Sequence, residues 1–214
     1  NFLLRQNIDV IAADDHLNEM KHLELNKLGI EVVIAPSTNA LRDLVANSEY
    51  VAPAPGIPEN HLVILEALSQ KKSLKTELEI AYEWESQRVG GPRPILAVTG
   101  TDGKTTTVMM AEAILQAAGR SSIACGNTEV PLVEALDMQV DSFVVEASSF
   151  RLAFIESFRA EASAWLNFDS DHLDWHESMK SYEEAKARLW RNVAATDTAI
   201  GVSGENAVMR HLQN

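Results

Sequence analysis

The sequence predicts an α/β fold in which parallel sheets are covered by helices. Three observations predict it. Short apolar, β-branched runs alternate with stretches of helical period along the chain, the pattern of parallel strands joined by crossover helices. The stretch QRVGGPRP, residues 87–94, holds two Gly and two Pro and reads as a linker. Directly after it, PILAVTGTDGKTTT passes from an apolar strand through a Gly-containing turn into a helix. The expected organisation is a small Rossmann-like N-terminal domain over residues 1–90. A phosphate-loop (P-loop) α/β central domain over residues 94–214 follows it.

Taken in order, the elements are as follows. Strands are expected in IDVIAA (8–13), IEVVIA (30–35), YVAPA (50–54), PILAVTG (94–100), SSIAC (121–125), SFVVEA (142–147), ASAWLNF (162–168) and DTAIGV (197–202). Helices fill the gaps between them. In PENHLVILEALSQ, residues 58–70, Pro58 suits a first helical turn. After Thr105, Val108, Ala111, Leu115 and Ala118 share one helical face, and Gly119 is placed to end the helix. Further on, Tyr182, Ala185 and Leu189 share a face, with Lys186 beside it. A Rossmann-like unit ordinarily opens with a strand and a Gly-rich turn. Here the chain opens NFLLRQNIDV, without Met and without such a turn. The expectation is a fragment whose first strand is missing and whose central domain is incomplete.

Composition narrows the function. The 214 residues are 46% hydrophobic and 23% charged, enough to bury a sizeable core. A formal net charge of −13 argues against nucleic acid as the main partner, because neutralising phosphates needs clustered Lys and Arg. Cys125 is the one cysteine, so no internal disulfide forms and a reducing cytoplasm is the expected home. No apolar run approaches the roughly 20 residues of a membrane span, and no membrane partner is expected.

Three segments carry chemistry. In GTDGKTT, the residues Gly100, Thr101, Asp102, Gly103, Lys104, Thr105 and Thr106 lie between a strand and a helix start. Backbone amides there suit anionic oxygens, Lys104 would reach terminal phosphates, and the Thr105 hydroxyl would face Mg²⁺. The plain alternative is a strand-turn-helix with a surface lysine. In SFVVEASSF, Glu146 falls at the end of a buried strand, where parallel sheets gather ligands; a helix-capping glutamate is the alternative. In NFDSDHLDWH, the residues Asp169, Asp171, His172, Asp174 and His176 crowd one loop. That cluster reads either as a metal site or as turns and helix caps. An inward Lys186 needs a reason, and a salt bridge to an Asp of this loop is the simplest.

GTDGKTTT, VVEASSFRL, NFDSDHLDWH and SYEEAKARLW, in that order, resemble the Mur ligase family of ATP-dependent amide ligases in peptidoglycan precursor synthesis. The short loop matches that family's G-T-x-G-K-[ST]. Phe150 in EASSFRL and the turn in APAPGIPENH are similar to the D-glutamate-adding branch. The resemblance implies catalytic roles for Lys104, His172 and Lys186. It implies ATP at residues 100–106, and two Mg²⁺ sites drawn from Thr105, Glu146, His172 and Lys186, the lysine as a carbamate. Pro55, Gly56, Asn127 and Ser148 would bind the UDP-linked substrate. It further implies UDP-N-acetylmuramoyl-L-alanine, D-glutamate and ATP as small-molecule substrates, an absent C-terminal domain, and no ligase activity in these residues alone. Asp102, Glu129 and Arg151 depart from the usual Asn, Gly and Gln. The competing readings are a sibling ligase, including a folylpolyglutamate synthase relative, and a non-catalytic nucleotide-binding module.

Overall fold

The computed structural model describes residues 2–212 and divides into two compact units, Asn1–Val51 with Leu62–Ser73 and Ala52–His61 with Leu74–Asn214. In the first, α1 (Phe2–Arg5) leads into β1 (Ile11–Asp14), α2 (Glu19–Lys27), β2 (Glu31–Ile34), α3 (Thr38–Asn47), β3 (Tyr50–Val51) and α4 (Leu62–Ser69). β1 and β2 pair in parallel, with Ile11 opposite Glu31. Side-chain oxygens of Asn18 and Ser37 accept from the amides of Lys21 and Ala40, satisfying donors that a helix start leaves open. Leu41 and Val45 of α3 and Ile64 and Ala67 of α4 are buried where the two helices pack. Lys72 closes the α3 C-terminus, its Nζ donating to Ala46 O and Ser48 O at 2.7 and 2.6 Å.

β4 (Ser73–Leu74) precedes the second unit's α5 (Glu77–Ser86), β5 (Ile95–Thr99), α6 (Lys104–Ala117), β6 (Ser122–Gly126), α7 (Leu132–Ala135) and β7 (Ser142–Glu146). Then come α8 (Ser149–Leu152), β8 (Ala162–Trp165), α9 (Met179–Ala187), a 3-10 turn at Arg188–Trp190, β9 (Thr198–Gly201) and α10 (Asn206–Leu212). The five strands form one parallel sheet in the order β6-β7-β5-β8-β9. The predicted class of parallel sheets covered by helices is what the chain adopts. On one face Ile95, Ala97, Phe143 and Val145 pack with Leu78, Leu132, Leu152 and Phe158; on the other, Val98 and Val144 meet Val108 of α6. Both faces are covered, which is why these strands read as continuous apolar runs. β5 is central, and the chain leaves it first toward β6 and later toward β8. Such a reversal opens a crevice at the strands' carboxyl ends.

Several elements differ from the sequence reading. The division between units does not fall at 87–94. That stretch lies inside the second unit because Arg93 is buried there. Its Nη2 meets Glu85 Oε2 at 2.7 Å, Nη1 donates to Met138 O at 2.8 Å, and the guanidinium lies 4.4 Å from the Phe143 ring centroid. Pro58 is not in a helical first turn. It sits in a turn closed by His61 N to Pro58 O at 3.0 Å, and α4 starts at Leu62. β3 ends at Val51, short of Pro53, which has no amide to offer a ladder. On α6 the covered face ends at Leu115, and Ala118 is exposed. Gly119 does end the helix, with Arg120 N returning to Leu115 O at 2.9 Å.

Candidate active site

The site is built at the carboxyl ends of β5, β7 and β8. β5 ends at Thr99, and Gly100 turns the chain where a Cβ would lie 3.2 Å from both Asp102 O and Leu166 Cβ. Only glycine passes there without displacing a neighbour. Gly103, at φ 78°, then caps α6, whose first amides have no intrahelical acceptor and suit an anion. The loop is clamped by a residue the sequence reading overlooked. Asn167 Oδ1 accepts from Thr101 N and Asp102 N, each at 2.9 Å, and its Nδ2 donates to Asp102 O at 3.1 Å. The signal was its position directly after the apolar run ASAWL, at the end of β8. Thr101 Oγ1 further meets Asp169 N at 2.9 Å and the Tyr182 hydroxyl at 3.3 Å. Lys104 folds over the loop, its Nζ 2.7 Å from Thr101 O.

Beside the loop, Thr105 Oγ1 donates to Glu146 Oε2 at 2.7 Å, and Asn127 Nδ2 donates to Glu146 Oε1 at 3.1 Å. The ends of β6 and β7 and the first turn of α6 are thus joined through one carboxylate. Asn127 arrives there because Gly126 turns at φ 95°, where a Cβ would stand 2.5 Å from Glu146 O. A hydroxyl and a carboxylate converging next to a phosphate-type loop form a hard-oxygen donor pair, which fits Mg²⁺ completed by phosphate and water.

Lys186 is 1% exposed, and its Nζ donates to Gly100 O at 2.6 Å and lies 4.5 Å from the Tyr182 ring centroid. Burial, with Lys104 nearby, pushes its pKa down from 10.5 to about 7. The expected salt bridge to an Asp of the 167–178 loop is not formed among the described residues; the backbone carbonyl takes its place. Burial likewise raises the Tyr182 hydroxyl above its ordinary value.

The acidic loop does not close into a metal cluster: among the described residues no three of His, Cys, Asp and Glu converge to hold an ion. Asp169 and Asp171 accept from the amides of Ser170 and His172 at 2.6 and 2.8 Å, as turn residues do. His172, in the left-handed region at φ 54°, packs its ring 4.6 Å from Phe150 and 6.0 Å from Tyr182. The Tyr182 ring thus neighbours both His172 and Lys186. An ammonium at Lys186 repels a cation, so these two residues fit a second Mg²⁺ only with the lysine as an anion. His176 turns inward, to Glu59 and Ser149. Ser148 is buried two residues past Glu146, and its Oγ has no hydrogen-bond partner among the described residues. Pro55 lines a cleft with Thr76, Glu77, Phe150, Arg151 and Trp175, while Gly56 is exposed. The departing Arg151 pairs there with Glu77, whose carboxyl burial holds above its usual range. The other two departures, Asp102 and Glu129, are both exposed.

Residues 98–214 match the family model described as Mur ligase middle domain. A UDP-N-acetylmuramoylalanine--D-glutamate ligase of Mycolicibacterium vanbaalenii is 43% identical over 157 residues, 73% of this chain and 32% of that protein. A ligase of the same name from Syntrophus aciditrophicus is 34% identical over 206 residues, 93% of this chain and 43% of that protein. The chain spans 32% and 43% of the length of these two curated relatives, less than half of each. Among solved structures, the UDP-N-acetylmuramate:L-alanyl-gamma-D-glutamyl-meso-diaminopimelate ligase from Neisseria meningitides aligns at TM-score 0.57 and 18% identity, over 99% of this chain and 68% of that one. The MurF ligase from Thermotoga maritima in complex with ADP aligns at TM-score 0.52 and 16% identity, over 80% of this chain and 49% of that one. These two similarities concern the fold.

Proposed function

The chain belongs to the Mur ligase family through its middle domain, and from that membership we propose that its protein joins D-glutamate to UDP-N-acetylmuramoyl-L-alanine at the expense of ATP. The names of the curated relatives support the substrate choice. The observation that carries the reading is the meeting of Thr105, Glu146 and Asn127 beside the Lys104 loop.

Activation of a carboxylate by ATP runs in two steps. A carboxylate oxygen of the L-alanyl group attacks the γ-phosphorus, and ADP leaves, giving an acyl phosphate. The amine of D-glutamate then attacks the carbonyl carbon, losing a proton, and inorganic phosphate departs with the oxygen it gained. Such chemistry needs in-line positioning and neutralised charge more than proton transfer. In this reading the amides at the start of α6 bind phosphate oxygens, and Lys104 leaves Thr101 O to place its charge on the γ-phosphate. Asn167 keeps the loop rigid, so the amides need not reorganise when charge shifts. Thr105 and Glu146 would hold one Mg²⁺, whose bound charge offsets that of the phosphates. His172 would help to hold a second with Lys186 carbamylated. The Lys186 nitrogen lone pair adds to the carbon of CO₂ and the nitrogen loses a proton, so the cation becomes a carbamate anion. A pKa near 7 leaves much of the amine neutral and able to react. Asn127, Ser148, Pro55 and Gly56 would contact the UDP-linked acceptor. The first unit would be a UDP-substrate-binding domain. No helix among the described residues is long and apolar enough to cross a membrane.

The test is ADP release by the full-length protein with UDP-N-acetylmuramoyl-L-alanine and a panel of amino acids. Turnover that requires D-glutamate and falls roughly a thousandfold in Lys104→Ala is the expected result. Turnover that survives in Lys104→Ala removes the loop from the mechanism.

A further inference from the structure

We propose that His176 is a positioning residue: its two ring nitrogens tie Glu59 to Ser149, and this bridge sets the shape of the acceptor-binding side of the site. The proposal rests on the ligase reading above for what the acceptor is. The bridge itself rests on geometry alone.

The His176 side chain is fully buried. Its Nδ1 lies 3.1 Å from Glu59 Oε1, and its Nε2 lies 2.9 Å from Ser149 Oγ. The ring cannot turn away, because Phe150, Trp175 and Tyr182 pack around it with centroids 5.8, 4.5 and 5.1 Å distant. Two backbone bonds reinforce the Glu59 end: Glu59 N donates to Trp175 O at 3.3 Å, and Glu177 N donates to Glu59 Oε2 at 3.4 Å.

Polar chemistry fixes the proton. An ionised carboxylate only accepts, so Nδ1 carries the hydrogen toward Glu59. In the neutral ring Nε2 then holds a lone pair and accepts from the Ser149 hydroxyl. Both ring nitrogens are satisfied in a place where an unpaired one would be costly.

The two ends of the bridge matter because of what adjoins them. Glu59 is three residues past Gly56, in the Ala52–His61 segment that the second unit includes. Ser149 starts α8 immediately after Ser148, whose buried Oγ has no partner among the described residues. Any buried histidine needs partners for its ring nitrogens; here the two partners lie on two segments that adjoin the site. This one holds the segment carrying Pro55 and Gly56 at a fixed distance from the strand end that presents Ser148 and Glu146. Neither Glu59 nor Ser149 is among the residues assigned to substrate or ATP, so substituting them tests the bridge without removing a ligand.

The experiment uses the full-length protein and two readouts. Steady-state kinetics compares wild type with Ser149→Ala, Glu59→Ala and Glu59→Gln. Loss of one buried hydrogen bond at either end should raise KM for UDP-N-acetylmuramoyl-L-alanine roughly tenfold and leave KM for ATP within about twofold. Glu59→Gln keeps an oxygen acceptor for Nδ1–H and should restore most of the acceptor affinity. Acceptor KM values unchanged in both alanine variants, or raised equally with those for ATP, overturn the positioning role. The second readout is independent of turnover: in protein labelled with ¹⁵N-histidine, the His176 Nδ1 should carry a proton. A bare Nδ1 overturns the bridge. Failure of the ligase reading shows separately, as a wild-type protein that does not turn over the acceptor. That result withdraws the subsite role, while the nitrogen spectrum still decides the bridge.

Discussion

At the scale of single residues, Lys186 is the most informative. Its folded pKa of about 7 lies below the ordinary 10.5, so between those pH values the unfolded chain holds a proton that the folded chain has released. Stability therefore rises with pH across that window, with a slope of at most about 1.4 kcal/mol per pH unit. Below pH 7 both states are charged and the full cost of burying the ammonium is present. In CO₂-free buffer, Lys186→Met should be more stable than wild type at pH 6.5, with the difference shrinking by pH 9.5; urea melts at the two pH values check this. A difference independent of pH would show that the lysine is not strained by burial. In the proposed reaction the same residue acts as an anion. Lys186→Arg should then be inactive, and a short carboxylic acid should restore part of the turnover of Lys186→Ala. An active arginine variant contradicts the carbamate. Lys186 was legible in the sequence because a lysine beside an apolar helical face is anomalous. Its partner was not, since Gly100 O is a backbone atom with no side-chain signature.

At the scale of elements, the arrangement depends on tight strand ends. Gly126→Ala would place a Cβ against Glu146 O in a backbone conformation that L residues avoid. The β6–β7 connection must shift, and thermal melts should show a loss of about 2–4 kcal/mol. The same shift should weaken ATP binding, because Asn127 leaves the Glu146 carboxylate; a variant with wild-type stability would mean the turn relaxes freely. The stretch 87–94 offers a second case. Glu85→Ala strands the Arg93 guanidinium, buried at 9% exposure, and should cost about 3–5 kcal/mol in a urea titration. If residues 87–94 were a free linker, the cost would be within experimental error. These two sites show what the sequence could convey. The strands β5, β6 and β7 were readable because strands buried on both faces are largely apolar throughout. The role of 87–94 was not, because Gly and Pro signal a turn but not whether an arginine inside it is anchored. Pro58 misled for a related reason, since its fixed φ suits a turn as well as a helix start. In the site, Lys104, Thr105 and Glu146 follow from local context. Asn167 and His176 act through partners far away in sequence, Thr101 and Asp102 for the one, Glu59 and Ser149 for the other, and only the fold brings those together.

At the scale of the whole molecule, one topological feature organises the site. The chain leaves central β5 toward β7 and β6 on one side and β8 and β9 on the other, so the loops after β5, β7 and β8 meet at the carboxyl ends of the strands. Phosphate-type loop, carboxylate and buried lysine all lie there, held by Asn167 and Tyr182. The second unit thus brings the residues proposed for phosphate chemistry into one place, and the proposed carboxylate-activation mechanism turns on what becomes of one oxygen atom. The direct measurement is to supply the full-length protein with ATP, D-glutamate and UDP-N-acetylmuramoyl-L-alanine labelled with ¹⁸O in both carboxylate oxygens, and to analyse the released phosphate by mass spectrometry. One ¹⁸O atom in each phosphate, matched by one amide formed, is the expected result, because the acyl phosphate hands that oxygen over when the amine attacks. Amide formation accompanied by unlabelled phosphate would contradict it.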